Sequence, residues 1–150
     1  MAALLSRLVF LRYGKDANGF DADRTLGIIT PFRSQIALIR KEIRALGIPE
    51  LEGITIDTVE RFQGSERDVI IYSFSVNEPG EFAMIQNLIT ENGMLIDRKL
   101  NVALTRARSQ VMLLGSRGVL EADPVCRSLL QVASEPFKML QNLPGMADDE

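Results

Sequence analysis

With 150 residues, 46% of them hydrophobic and 25% charged, the chain suits one globular domain with an ordinary core. A single cysteine, Cys126, and the absence of histidine exclude an internal disulfide framework, the usual zinc sites and a histidine-based triad, and fit an intracellular protein, cytoplasmic or, in a eukaryote, nuclear. The net charge of −3 excludes a generally basic nucleic-acid coat but leaves room for a cleft where a few basic side chains cluster.

No apolar run reaches the roughly 18 residues that span a membrane. The apolar start Met1 to Leu11 lacks the basic segment of a secretory signal. Leu4, Leu5, Leu8, Val9 and Leu11 have helical spacing and predict an amphipathic helix over 2–13. Gly14 and the polar residues to Arg24 predict a loop. Leu26 to Thr30 reads as a buried strand, after which Thr30 as N-cap and Pro31 as first residue can open a helix. Ile36, Ile39, Ile43 and Leu46 carry that helix to Gly47, its C-terminal stop.

Ile54 to Asp57 and the β-branched, aromatic run Val69 to Phe74 read as further strands, with the Gln63–Gly64 loop between them. Asp97 is expected to cap a helix reaching about Arg108, Val111 to Leu114 to form another strand, and Asp123–Pro124 to start a last helix to about Ser134. The alternation predicts an α/β fold with a parallel sheet flanked by helices and ligands at the carboxyl ends of the strands. One domain over 1–150 is expected, with its core over about 26–134 and a mobile tail over 135–150.

Three segments carry the chemistry: Gly27 to Gln35, Thr58 to Asp68 and Arg98 to Arg108. In that order they resemble motifs IV, V and VI of superfamily 1 helicases of the Upf-like 1B branch. The resemblance covers about residues 26–116 and implies a second RecA-like motor domain. The sequence contains no G-x-x-x-x-G-K-[ST], and its only Asp-Glu pair is Asp149–Glu150 at the terminus. Half of a nucleotide site is therefore expected. ATP with Mg2+ is implied, the metal held by an N-terminal RecA-like domain of the same protein, and single-stranded DNA or RNA is the implied track.

By the same resemblance, Arg106 is the arginine finger that reaches the γ-phosphate; such a guanidinium stabilises charge developing in phosphoryl transfer. Phe32 stands where the family stacks an aromatic on adenine, and a phenyl ring keeps the π-face. Glu66 matches the glutamate that accepts from the ribose hydroxyls. Gln63 can both donate and accept, which suits a residue coupling nucleotide to track, and Gly64 permits close approach of a ligand. Arg33 is a weaker phosphate candidate. Thr58, with Thr30, is implied in contact with the phosphodiester backbone. Were the helix to continue to Arg108, Arg106 and Arg108 would lie on opposite flanks, about 160° apart, leaving Arg108 to pair with a carboxylate.

The chain departs from the family in two places. Lys99 replaces the second arginine of the usual Arg-Arg-Leu-Asn, keeping charge but losing the bidentate fork. The link from Asn77 to Leu95 is longer than usual, and Glu81 to Ile89 predicts an extra helix. The chain is expected to be a fragment of a longer protein. The alternative to a motor domain is a non-catalytic RecA-like module that binds nucleic acid or protein.

Overall fold

The computed structural model describes residues 1–15, 19–62 and 64–133. Its central sheet has four parallel strands in the order β2-β1-β3-β6, formed by β1 (Leu26–Ile29), β2 (Thr55–Asp57), β3 (Arg67–Ser73) and β6 (Ala107–Leu114). A second sheet is the antiparallel hairpin of β4 (Leu88–Glu91) and β5 (Met94–Asp97). β1 is buried at every position and β3 at most, which is why both read as continuous apolar runs: helices and turns cover the two faces of the sheet.

Side chains alternate across the strands and so divide the interior into two cores. Leu26, Ile28, Val69 and Ile71 meet α1 (Ala2–Tyr13), α2 (Arg33–Ala45) and α3 (Pro49–Glu52) on one face. Ile29, Ile70 and Tyr72 face the 3-10 turn Val59–Phe62, α4 (Phe82–Ile85), α5 (Arg98–Leu104) and α7 (Pro124–Val132) on the other. α6 (Arg117–Glu121) follows β6 and adds Leu120 to this second core. The burial of Ala2, Ala3, Leu5 and Val9 extends the first core well before residue 26.

The parallel sheet flanked by helices is the RecA-like arrangement expected from the sequence. Asp97 and Asp123 are the expected caps: one accepts from the Lys99 and Leu100 amides, the other from that of Cys126. Gly47, at φ +67°, stands just past the last residues of α2 in the left-handed conformation that suits glycine.

Three local expectations are corrected. Thr30 is not a helix cap: its amide donates to the Asp57 carbonyl at 3.1 Å, extending the pairing with β2, and α2 starts at Arg33 after Phe32. α5 ends at Leu104, because the Arg106 carbonyl accepts from the Arg67 amide at 2.9 Å and draws the chain into β6. Arg106 and Arg108 therefore do not flank one helix. The 77–95 link holds a 3-10 turn at Pro79–Glu81, the single turn α4 and the β4–β5 hairpin in place of one extra helix. The expected tail lies outside the described residues, and no helix among those described is long and apolar enough to cross a membrane.

Candidate nucleotide and nucleic-acid site

The strands being parallel, the sheet has two functional rims. Thr30 follows β1 and Thr58 follows β2, so both stand at the carboxyl rim with Phe32 and Arg33. Glu66 precedes β3 and Arg106 precedes β6, so both stand at the amino rim. β1 has four residues, and at about 3.3 Å per residue the rims are separated by about 13 Å. The expectation of ligand-binding groups at the carboxyl ends of the strands is thus corrected for Glu66 and Arg106. The segment 58–66 starts at one rim and ends at the other, which is the geometry a coupling element needs.

At the amino rim the backbone of Arg106 is held on both sides. Its amide donates to the Ala103 carbonyl at 3.2 Å, and its carbonyl accepts from Arg67. Its half-buried guanidinium has no carboxylate partner among the described residues: Nη2 donates to Thr105 Oγ1 at 3.3 Å, and Nε is buried with no acceptor. Arg108 behaves differently. Its Nε pairs with Asp68 Oδ1 at 3.0 Å and its Nη2 donates to the Arg24 carbonyl at 3.0 Å, the carboxylate pairing the sequence suggested. The β3–β6 register slips by one residue between the pairs Arg67–Ala107 and Val69–Gln110, so Arg108 lies within a bulge that Arg106 precedes.

Glu66 is exposed, with its backbone carbonyl rather than its carboxylate tied down. The tie is Arg67, a residue that sequence reasoning missed. Arg67 is 8% exposed; Nη1 donates to Ser65 Oγ and to the Glu66 carbonyl, both at 2.8 Å, and Nη2 donates to Thr55 Oγ1 at 3.1 Å. Its guanidinium carbon lies 5.7 Å from the centroid of the Phe62 ring. One arginine thus fastens the end of the 58–66 segment to β2. Only its place at the head of an apolar strand hinted at burial.

Phe62 in turn lies against Gly27 of β1, where an added Cβ would stand 2.8 Å from the ring. Gly64 has φ +76° with open space around it, so its backbone rather than its neighbours demands glycine. Gln63 lies outside the described residues. The 3-10 turn is bound to α5 by an ion pair at 2.9 Å between Lys99 Nζ and Glu60 Oε1. The hydrogen bond from Lys99 is the main reason the Glu60 carboxyl titrates below its ordinary value. Lys99, the departure from the family pattern, therefore joins motif VI to motif V.

At the carboxyl rim Thr30 is fully buried and Thr58 is 6% exposed. Thr30 Oγ1 lies 3.4 Å from Ser75 Oγ, which lies 3.2 Å from Ser73 Oγ, and Ser75 has the left-handed φ of 53°. The Thr58 amide donates to Asp57 Oδ1 at 2.8 Å. Phe32 is half-buried against the second core, while the neighbouring Arg33 is exposed. The two buried aspartates, Asp97 and Asp123, are committed as helix caps, so this donor set suits the sugar and phosphates of a nucleotide better than its metal.

The AAA_12 family model, described as an AAA domain, matches residues 4–118. The chain is 39% identical over 109 residues to regulator of nonsense transcripts 1 of Dictyostelium discoideum, covering 70% of this chain and 8% of that protein. It is 37% identical over 110 residues to helicase sen1 of Schizosaccharomyces pombe, covering 72% and 6%. To the probable helicase MAGATAMA 3 of Arabidopsis thaliana it is 33% identical over 130 residues, covering 83% and 15%. The chain thus spans only a small part of the length of these relatives. It belongs to the AAA_12 family and is a helicase domain, the C-terminal RecA-like region of the Upf1-like superfamily 1 helicases.

Proposed function

We propose that the domain closes over ATP held by a first RecA-like domain of the same protein, completes the hydrolytic site through Arg106, and uses its opposite rim to hold single-stranded DNA or RNA. The protein as a whole is then an ATP-dependent helicase acting inside the cell. The observation that carries this reading is the state of Arg106: its backbone is fixed on both sides and its guanidinium has no carboxylate partner among the described residues. Its Nε is buried and unpaired like that of Arg67, but Arg106 lacks the Ser65, Glu66 and Thr55 acceptors that hold Arg67. A buried N–H with no acceptor is unfavourable unless an acceptor arrives, and a phosphate oxygen is the acceptor that a guanidinium fork fits best.

Glu66 serves the ribose at the same rim, its position set by Arg67; Gly64 gives the segment its turn, and the donor and acceptor chemistry of the Gln63 side chain suits coupling of nucleotide to track. Bound with ATP, Mg2+ would neutralise phosphate charge, and its protein ligands belong to the first domain. Phe32 and Arg33, nucleotide candidates by resemblance, stand about 13 Å away at the rim of Thr30 and Thr58. We assign them to the track. Thr58 contacts the phosphodiester backbone there, and Thr30, having no exposed surface, acts through the hydroxyl of Ser75.

Coupling follows from the course of segment 58–66, which touches both rims and is fastened to α5 by Glu60 and Lys99. The test is nucleotide affinity in the full-length protein, measured with a fluorescent ATP analogue. Glu66→Ala is expected to weaken nucleotide binding and leave binding of a single-stranded oligonucleotide unchanged, and Thr58→Val is expected to do the reverse. Loss of oligonucleotide binding in Glu66→Ala with nucleotide binding intact would overturn the division between the rims.

A further inference from the structure

Beside Thr58, between α2 and the 3-10 turn, lies an open depression of about 390 Å3 lined by Arg33, Ile36, Ala37, Arg40, Asp57 and Arg61. Arg33, Ile36, Ala37 and Arg40 recur at three- and four-residue steps and so share one face of α2. Three arginines meet one carboxylate in a chain whose net charge is −3, which makes the depression basic against the overall balance. Asp57 offsets one of the three charges, its Oδ1 accepting from the Thr58 amide at 2.8 Å and its Oδ2 standing 3.9 Å from Arg61 Nε, at the outer limit of an ion pair, so the depression keeps an excess of positive charge. Neither Arg33 nor Arg40 pairs with a carboxylate among the described residues.

We propose that this depression is a phosphate-binding extension of the nucleic-acid path, with Arg40 and Arg61 as contacts to the phosphodiester backbone in addition to Arg33. The inference rests on the track assignment above and extends it past Thr58 towards the β2 edge. Three features favour this ligand. Guanidinium forks match phosphate oxygens bidentately, and the depression is open, as a continuous strand requires. Arg33 and Arg40 are seven residues apart, about 10 Å along the helix axis, so they reach different phosphates. The depression lies at the carboxyl rim, away from Arg106, and on the β2 side of the sheet, whereas β6 forms the other edge. Phosphates of the nucleotide at Arg106 are therefore the less suitable occupant.

The experiment measures the affinity of full-length protein for a labelled single-stranded oligonucleotide, DNA and RNA in parallel, across a salt series. It compares wild type with Arg40→Gln/Arg61→Gln and with the charge-matched control Arg7→Gln/Arg44→Gln, whose exposed arginines lie outside the depression. Each phosphate contact contributes about 0.7 to the slope of log affinity against log salt for a single strand. The depression variant is expected to lose about 1.4 from the slope and to bind roughly tenfold or more weakly at moderate salt. The control should keep the wild-type slope, and Arg40→Lys/Arg61→Lys should restore most of it.

An unchanged slope in the depression variant, with wild type binding normally, would overturn this inference alone. So would an unchanged slope with weakened binding of a fluorescent ATP analogue, which would assign the depression to nucleotide phosphates. Failure of the wild-type protein to bind either oligonucleotide would overturn the track assignment itself.

Discussion

Gly27→Ala tests how the amino-rim site is held against the sheet. A Cβ at residue 27 would lie 2.8 and 2.9 Å from Cε1 and Cζ of Phe62 and 3.1 Å from Cγ of Arg67. Carbon atoms in favourable contact stand about 3.5–4.0 Å apart, so the ring must retreat by at least roughly 0.6–0.7 Å and the arginine by a few tenths of an ångström. Phe62 is 1% exposed and Arg67 8%, so both would have to shift within the packed interior. Overpacking of this kind costs about 1–3 kcal/mol. At about 2–4 °C per kcal/mol for a domain of this size, the melting temperature should fall by about 2–12 °C. Urea unfolding would give the same loss directly.

Phe62→Leu removes the two ring atoms that clash, so the substitutions should not be additive. The double variant Gly27→Ala/Phe62→Leu is expected to be more stable than the sum of its parents by about 1 kcal/mol. Because Arg67 carries Ser65 and Glu66, Gly27→Ala should also weaken nucleotide binding in the full-length protein while leaving oligonucleotide affinity unchanged. A neutral Gly27→Ala, or effects that add within about 0.3–0.5 kcal/mol, would refute the claim that β1 and the 58–66 segment are packed tightly here.

Gly64→Ala introduces a side chain into open space at φ +76°, so its loss of about 1–2 kcal/mol is pure backbone strain. Gly64→Asn should lose less in the same urea titration, since asparagine tolerates that conformation. Burial pushes the Cys126 thiol up to about 12 from an ordinary 9.0. The folded chain keeps its thiol proton where the unfolded chain releases it. This contribution to stability is complete below pH 9.0 and lost as pH rises towards about 12. Iodoacetamide should leave Cys126 unmodified in the native protein near neutral pH and label it in urea; equal rates in both would contradict its burial.

Much of the fold was legible because its signals are local. The apolar steps of α2, the continuous apolar runs of β1 and β3, and the Asp97 and Asp123 caps all act within a few residues of chain, whereas α1 forms as a helix but buries Ala2, Ala3, Leu5, Ser6 and Val9 and leaves Leu11 of the expected face exposed. The hairpin was equally local: Asn92 and Gly93 have φ of 52° and 76°, the positive values of a two-residue turn between β4 and β5. That Asn-Gly pair between two apolar runs could have been recognised from the sequence.

Other features depend on partners distant in the chain. The apolar face Leu100, Ala103, Leu104 and Ala107 continues the helical pattern beyond Leu104, yet pairing with Arg67 turns the chain into a strand. Thr30 resembles a cap until Asp57 supplies a strand partner. The separation of Arg106 and Glu66 from Thr30 and Thr58 needs the strand order, which no segment encodes by itself. Arg67 was missed for the same reason: its acceptors come from β2 and from the two residues before it, and its burial arises only when Phe62 folds over Gly27.

The most direct test of the motor assignment is ATP hydrolysis by the full-length protein, with and without single-stranded nucleic acid, beside its Arg106→Ala variant. Hydrolysis by the wild type should be stimulated by the strand. In the variant it should fall by roughly three to five orders of magnitude, with binding of a fluorescent ATP analogue largely retained. Unchanged hydrolysis in Arg106→Ala would remove that arginine from the catalytic site, and no hydrolysis by the wild type would contradict the motor and favour a binding module.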